Sequence, residues 1–195
     1  MIPMCYPADV LEGGYIPNWS LWYIMELKKY AGIYGSDDIV KGAREKVFGV
    51  LRFFEGYENE IGLLEDLEGW VFVEWSEAND KEHICGVNIP SNILYAASLI
   101  GAGELYEKPE WVLKGENIRK KVKELAFDGK FFVDNLIRDE NGKLKYRGQH
   151  LFCYSQAQLD AMNQGLNAFA KEYLKNGVEW RLERGFQDEQ LGIDK

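Results

Sequence analysis

The fold is decided by the stretch IPNWSLWYIMELKKYAGIYGSDDIVKGAREKVFGVLRFFEG, residues 16–56. In each half, apolar residues recur at every third or fourth position, which is the spacing of an amphipathic helix. We expect Asn18 or Ser20 to cap the first helix and Gly35 to end it. Because only a short turn follows before the second pattern begins, the two helices are predicted to pack as an antiparallel hairpin.

The same arrangement of two helical patterns recurs further along the chain. Residues 88–106 and 108–127 predict a second helical hairpin, with Pro109 near the first turn of its second helix. Gly101 and Gly103 lie inside a helical pattern, so we expect them to permit close packing rather than to bind phosphate. A helix pair followed by an elaborated loop, used twice, predicts a helical array or toroid.

A different pattern follows the second hairpin. Residues 128–149 predict a β-hairpin, because Asn141 and Gly142 form a strong turn signal between two extended runs. A fifth helix is predicted over 154–174, and the charged tail 176–195 is expected to be peripheral.

The connection between the two helical hairpins contains GWVFVEWSEAND, residues 69–80, in which large aromatics alternate with carboxylates. It reads either as a buried strand with a polar edge or as the rim of a sugar site. Trp70 and Trp75 lie on a loop, where rigid aromatics often serve binding. Glu74 has apolar neighbours, which would raise the pKa of its carboxyl as a general acid requires. The remaining loop acids are expected to be solvated: Glu65, Asp66, Glu68, Glu77 and Asp80.

Other aromatics and histidines carry weaker signals. The aromatics predicted to form hairpin core are Trp19, Trp22, Tyr23 and Phe54. Tyr95 suits the core and a site equally, and His150 lies at a junction where it either lines a cleft or is structural. The pairs His83 with Cys85 and His150 with Cys153 match no standard zinc spacing, so neither a metal nor a cofactor is expected.

Composition limits the partners and the compartment. The net charge of −9 disfavours nucleic acid and anionic membranes, whereas a 14% aromatic content suits clefts for sugar rings. Cys5, Cys85 and Cys153 are far apart and suggest no disulfide framework, which favours a reducing compartment and a cytoplasmic location. Residues 1–14 have no basic segment followed by an apolar run, so no signal peptide is expected.

The ordered set of segments resembles the catalytic domain of α-L-rhamnosidase-type glycoside hydrolases, which are (α/α)6 toroids built from six helical hairpins. The resemblance covers residues 6–158, and 159–195 form a divergent tail. The segments that carry it are YIPNWSLWYIMELKKYAGIYG, FFEGYENEIGLLEDLEGWVFVEWSE, NIPSNILYAASLIGAGELYEK, AFDGKFFVDN and HLFCYSQAQ. The implied fold is all-α, an incomplete (α/α)6 toroid of antiparallel helical hairpins with a small β-hairpin, in a single domain over 1–195.

The resemblance also assigns roles to residues. Where the family usually reads FVDW, this chain reads FVEW, so Glu74 replaces an aspartate and Trp75 is retained. Glu74 and Trp75 are therefore implied to lie at the sugar-binding face, with Trp70 and His150 as further substrate contacts. The motifs that carry the family's general acid and general base have no match here, which leaves Glu74 as the one catalytic candidate.

The implied function is a portion of an inverting glycoside hydrolase that acts on a terminal rhamnose or a similar sugar. One alternative is a non-catalytic, truncated helical domain for carbohydrate binding or assembly. Another is a different six-hairpin enzyme, such as a sugar epimerase or an unsaturated-glucuronide hydrolase. Five or six helices, against the twelve of a toroid, suggest an internal piece of a barrel. Its open hairpin faces would then be covered by a second copy or by a complementary chain.

Overall fold

The structure, a computed structural model, describes residues 15–73, 79–129 and 131–146 of the 195-residue chain. Helices dominate this part of the chain, as the sequence predicts, and a small antiparallel sheet accompanies them. The elements are α1 (Pro17–Tyr34), α2 (Asp38–Glu55), α3 (Lys81–Ile84), β1 (Val87–Asn88), α4 (Ile89–Leu105), α5 (Pro109–Ala126), β2 (Asn135–Arg138) and β3 (Leu144–Tyr146). The helix predicted over 154–174 and the tail 176–195 lie outside the described residues, and the single-domain expectation stays a prediction.

The ends of α1 follow the local sequence signals only in part. Gly35 ends the helix at a positive φ of 82°, as predicted. The predicted cap was wrong, because Ile16 occupies the N-cap position without a side-chain hydrogen bond. Pro17 opens the helix instead, and its ring presets the helical φ and removes one donor that would need a partner. Asn18 and Ser20 lie inside the first turn, where both are buried.

A side chain caps the start of α2. Asp37 Oδ1 accepts hydrogen bonds from the backbone N–H groups of Ile39 and Val40, at 2.9 and 3.2 Å. The carboxylate satisfies donors that the first turn of a helix leaves unpaired. Tyr30 Oη donates to the other oxygen of Asp37 at 2.6 Å and so ties the end of α1 to the start of α2.

Helices α1 and α4 run parallel to each other. The hydroxyl of Ser98 on α4 donates to the backbone oxygen of Leu21 on α1 at 3.2 Å. Further along both helices, Lys28 forms an ion pair with Glu104 at 2.6 Å. Because the contact positions increase together on the two helices, their axes point the same way.

Helix α5 returns antiparallel to α4 at close range. A Cβ atom at Gly103 would lie 2.7 Å from Val112 Cγ2, and one at Gly115 would lie 2.6 Å from the Ala96 backbone oxygen. These approaches confirm that Gly103 permits close packing. Helix α5 also contacts α2, because Lys114 of α5 forms an ion pair of 3.2 Å with Glu55 at the end of α2.

Two antiparallel hairpins, α1–α2 and α4–α5, therefore lie side by side with like helices parallel, which is a helical array. The closure of such an array into a toroid stays a prediction. The core lies between the hairpins, where Phe54 and Tyr95 are fully buried. Phe54 was predicted as core and is confirmed. Trp19 and Trp22 are each 40% exposed, so their assignment to the core was wrong: they lie on an arc of α1 that faces away from its neighbours.

The sheet has the order β1–β2–β3, with both pairs antiparallel. The predicted β-hairpin is confirmed as β2–β3, and its turn closes through a 2.8 Å hydrogen bond from Gly142 N–H to the Asp139 backbone oxygen. The sequence did not predict β1 or α3. Residues 70–73 form no strand, so the four described residues of WVFVEW are irregular backbone. Within the described ranges, every helix falls short of the length and apolar character needed to cross a membrane.

Candidate functional site

The first turns of α1 and α4 meet the loop 57–73 at one end of the helical array. Asn18 is the centre of this meeting point and is only 3% exposed. Its Nδ2 donates to Ser91 Oγ of α4 at 2.8 Å, and its Oδ1 accepts from the backbone N–H of Phe72 at 3.2 Å. One amide therefore links two helix starts to the loop that precedes Glu74.

Three aromatic side chains, Trp19, Phe72 and Trp70, lie together at this end and form the aromatic cluster. The ring centroid of Phe72 lies 6.1 Å from that of Trp19 and 6.0 Å from that of Trp70, and both pairs meet edge to face. Trp19 is 40% exposed and Trp70 is 50% exposed. Exposed, rigid aromatic surface of this kind suits the apolar face of a sugar ring, and the indole N–H groups can still donate hydrogen bonds.

The loop that carries Trp70 is held from α4 by a buried amide. Asn92 Oδ1 accepts from the backbone N–H of Leu64 at 2.7 Å, and its Nδ2 donates to the backbone oxygen of the same residue at 2.9 Å. This pair of bonds imitates the pairing of one strand with another. Gly69 has a φ of 90°, and a Cβ atom there would lie 3.2 Å from the Tyr15 ring, so glycine suits the bend before Trp70.

The carboxylates of the loop mostly act as tethers. Hydrogen bonds from the Arg138 guanidinium, the shortest at 2.6 Å, hold the pKa of the Glu65 carboxyl below its usual range. Asp66 Oδ1 accepts from the backbone N–H of Gly86 at 2.9 Å, and Glu68 accepts from the Tyr57 hydroxyl at 3.3 Å. A general acid needs a raised pKa, so Glu65 is unsuited to that role.

A buried polar cluster that the sequence did not predict joins α3 to the start of β2. His83 is 4% exposed, and its Nδ1 lies 3.9 Å from Asp134 Oδ2. Asn135 Nδ2 donates to the backbone oxygens of Glu82 and Cys85 at 3.0 and 2.8 Å. In the part of the chain that the structure describes, no three side chains among His, Cys, Asp and Glu are arranged to hold a metal ion.

The residues predicted for the sugar site are described only in part. Trp70 belongs to the aromatic cluster, whereas Glu74, Trp75 and His150 lie outside the described residues. The two positions that flank 74–78 are joined directly, because Asn79 Oδ1 accepts from the backbone N–H of Val73 at 2.7 Å.

Sequence reasoning missed two members of the cluster, Trp19 and Phe72. A signal for Trp19 was present. Positions 19, 22, 26, 29 and 33 form a line on α1 separate from its buried aliphatic residues, and a tryptophan at the start of that line adjoins the helix end.

Comparison with known proteins gives a relationship at the level of the fold. No protein-family model matches the chain, and no curated protein matches its sequence. Among solved structures, the chain is similar to the GH78 family rhamnosidase of Bacillus sp. GL1, with a TM-score of 0.56 and 20% sequence identity. The match covers 86% of this chain and 18% of that chain, so this chain spans about a fifth of the length of that protein. The fold of this chain is therefore similar to the fold of one part of that rhamnosidase.

Proposed function

We propose that this chain is the sugar-contacting portion of a glycoside hydrolase of the α-L-rhamnosidase type, within a six-hairpin toroid. The observation that carries the proposal is the aromatic cluster: Trp19 and Trp70 stay exposed while both contact Phe72. A pair of exposed tryptophans held by a shared aromatic contact, one on α1 and one on the loop, is typical of a binding surface. The fold relationship to a rhamnosidase makes a sugar the leading ligand class.

In this proposal, the cluster supplies apolar contact, and the neighbouring segment supplies polar contact. Asn18 is buried and already bonded to Ser91 and to the Phe72 backbone, so it orients the cluster rather than the ligand. Sugar hydroxyls would then be bound by the Glu74 carboxylate and the Trp75 indole N–H, with His150 as a further contact. A neutral sugar fits the net charge of −9 better than an anionic one.

Hydrolysis with inversion needs two carboxyl groups, one to protonate the leaving oxygen and one to activate water on the opposite face of the sugar. The described loop carboxylates Glu65, Asp66 and Glu68 are all engaged in hydrogen bonds. We therefore propose that the catalytic pair comes from residues outside the described ranges or from another chain. Glu74 remains the catalytic candidate of this sequence.

The hydrogen bonds that occupy these loop carboxylates also favour the second candidate function, a non-catalytic helical domain that binds carbohydrate or supports assembly. The two candidates share the sugar contact at the aromatic cluster and differ in turnover. Both are compatible with the cytoplasmic location and with the absence of a cofactor that the sequence predicts.

The decisive experiment measures binding and turnover separately on the purified chain. Titration with L-rhamnose and with other neutral monosaccharides, followed by calorimetry or tryptophan fluorescence, reports binding. A panel of nitrophenyl glycosides reports hydrolysis. Trp70→Ala should weaken rhamnose binding about tenfold, the loss expected for one aromatic contact.

Tyr34→Ala is the matched control, because Tyr34 is 67% exposed at the far end of α1. It should leave binding unchanged. Hydrolysis by the purified chain would refute the non-catalytic candidate, and binding without hydrolysis would support that candidate against a catalytic pair located within this chain. Absence of binding to any sugar, in a chain whose circular dichroism shows folded helices, would refute the sugar contact that both candidates share.

A further inference from the structure

Helix α1 exposes one continuous line of side chains along its length. Trp22, Glu26, Lys29 and Ile33 are spaced by four, three and four residues, which places them on a single stripe of a helix. Trp22 is 40% exposed and Ile33 is 65% exposed. These four residues form the open face of α1.

The open face differs from the neighbouring face, which α4 covers. Lys28, one position away from Lys29, reaches across to Glu104 of α4 at 2.6 Å. Glu26 and Lys29 form no ion pair with any other residue of the described ranges. Two exposed apolar side chains therefore bracket two charges of opposite sign that have no ion-pair partner among the described residues.

We propose that the open face of α1 docks against the same face of a second copy of this chain, with the two helices antiparallel. A two-fold axis that passes between positions 26 and 29 places Glu26 opposite Lys29 of the second copy, and Lys29 opposite its Glu26. The same axis places Trp22 opposite Ile33 of the second copy at both ends. The face is thus complementary to itself in charge and in apolar contact.

The charges also select the orientation. In a parallel pair, Glu26 would face Glu26 and Lys29 would face Lys29, and such like-charge contacts oppose association. Spacings of three and four residues keep these four side chains on one face of α1, so one antiparallel partner helix can contact all of them. A two-fold contact uses each face once and closes, so a dimer rather than an open filament follows.

This inference is independent of sugar binding, and its test reads oligomeric state alone. Sedimentation equilibrium and light scattering on the whole chain, over a range of concentrations, should give a mass twice that of one chain. Lys29→Glu should raise the dimer dissociation constant at least about tenfold, because Glu26 then faces a glutamate. Glu26→Lys should do the same. The double exchange Glu26→Lys with Lys29→Glu should restore the dissociation constant to within about threefold of the parent, because the ion pairs re-form in the opposite sense.

Lys120→Glu is the control, because Lys120 is exposed on α5 and its replacement makes the same change of net charge. It should leave the dimer unchanged, and circular dichroism should show equal helix content in every variant. Ile33→Asp provides a second disruption that removes apolar contact without reversing either charge of the central pair. A monomer at every concentration, an aggregate without defined mass, a dimer insensitive to the single charge reversals, or a double variant that fails to re-associate would each overturn the proposal.

Discussion

Asn18 and Ser91 are 73 positions apart, yet their side chains share a hydrogen bond of 2.8 Å. Each lies in the first turn of its helix, Asn18 in α1 and Ser91 in α4. Ser91 Oγ in turn donates to Asn88 Oδ1, the N-cap of α4, at 2.6 Å. The first turns of α1 and α4 are therefore held side by side. This sets how far the two hairpins are offset along their helix axes.

Replacement of Asn18 by alanine should lower the free energy of unfolding by about 2–4 kcal/mol. The change removes a buried hydrogen bond to Ser91 Oγ and a partly buried one from the backbone N–H of Phe72. Urea denaturation of the purified variant measures the effect. Asn141→Ala, at an exposed turn, should change stability by less than about 0.5 kcal/mol. A loss below about 1 kcal/mol for Asn18→Ala would show that the amide is not an essential link.

The parts of the fold that the sequence predicted are those with local causes. Gly35 and the Asn141–Gly142 turn act through their own backbone preferences, and the apolar spacing of the helices is visible in any window of the sequence. The β1 strand, in contrast, is two residues long and exists because Leu136 pairs with Val87 across a distance in sequence that no local window contains. Helical spacing does not always predict burial. Ile39 fits the apolar pattern of α2 and is nevertheless 59% exposed.

The sequence indicated that aromatic residues would form the candidate site, but it did not identify all of the residues involved. Trp70, which the sequence places on a loop as a binding residue, is 50% exposed, and its role in binding stays a prediction. Trp19 was assigned to the core because it is large and apolar. What exposes it is its direction relative to α4, which depends on how α1 and α4 pack and cannot be read from either helix alone.

Gly115→Ala should destabilise the α4–α5 hairpin by about 1–3 kcal/mol. The added methyl group would meet the backbone oxygen of Ala96 at 2.6 Å and Ile100 Cγ1 at 2.7 Å, so the helices must separate. Gly42 on α2 is the matched control, because a Cβ atom there meets nothing within 4 Å. Gly42→Ala should raise stability by about 0.5–1 kcal/mol through helix propensity. Equal effects at both glycines would contradict the close approach.

Tyr95→Phe should change how stability depends on alkaline pH. Burial, and then the 2.6 Å hydrogen bond to Glu58 Oε1, raise the pKa of Tyr95 above its ordinary value. A folded-state pKa above the unfolded one stabilises the protein fully below about pH 10, and this contribution is lost as the pH rises further. The free energy of unfolding of the unmodified chain should therefore fall steeply above about pH 10. The phenylalanine variant should be about 1–2 kcal/mol less stable at pH 7 and show a shallower alkaline decline. If stability falls equally with pH above about pH 10 in both proteins, other tyrosines cause the alkaline loss of stability.

Asn79→Ala should separate sugar binding from stability. Asn79 Oδ1 accepts the backbone N–H of Val73 and so joins the residues on either side of 74–78, the segment that contains Glu74 and Trp75. Loss of this link should free Val73 and Asn79 to move apart, and affinity then falls because the cost of holding these two positions together appears on binding. We expect rhamnose affinity to fall about tenfold, while the midpoint of thermal unfolding changes far less than in Asn18→Ala, since Asn79 is only half-buried. Asn79→Asp, which keeps the accepting oxygen, should recover most of the affinity. If alanine and aspartate bind sugar equally well, the link from Asn79 to Val73 has no part in holding the sugar-contacting segment.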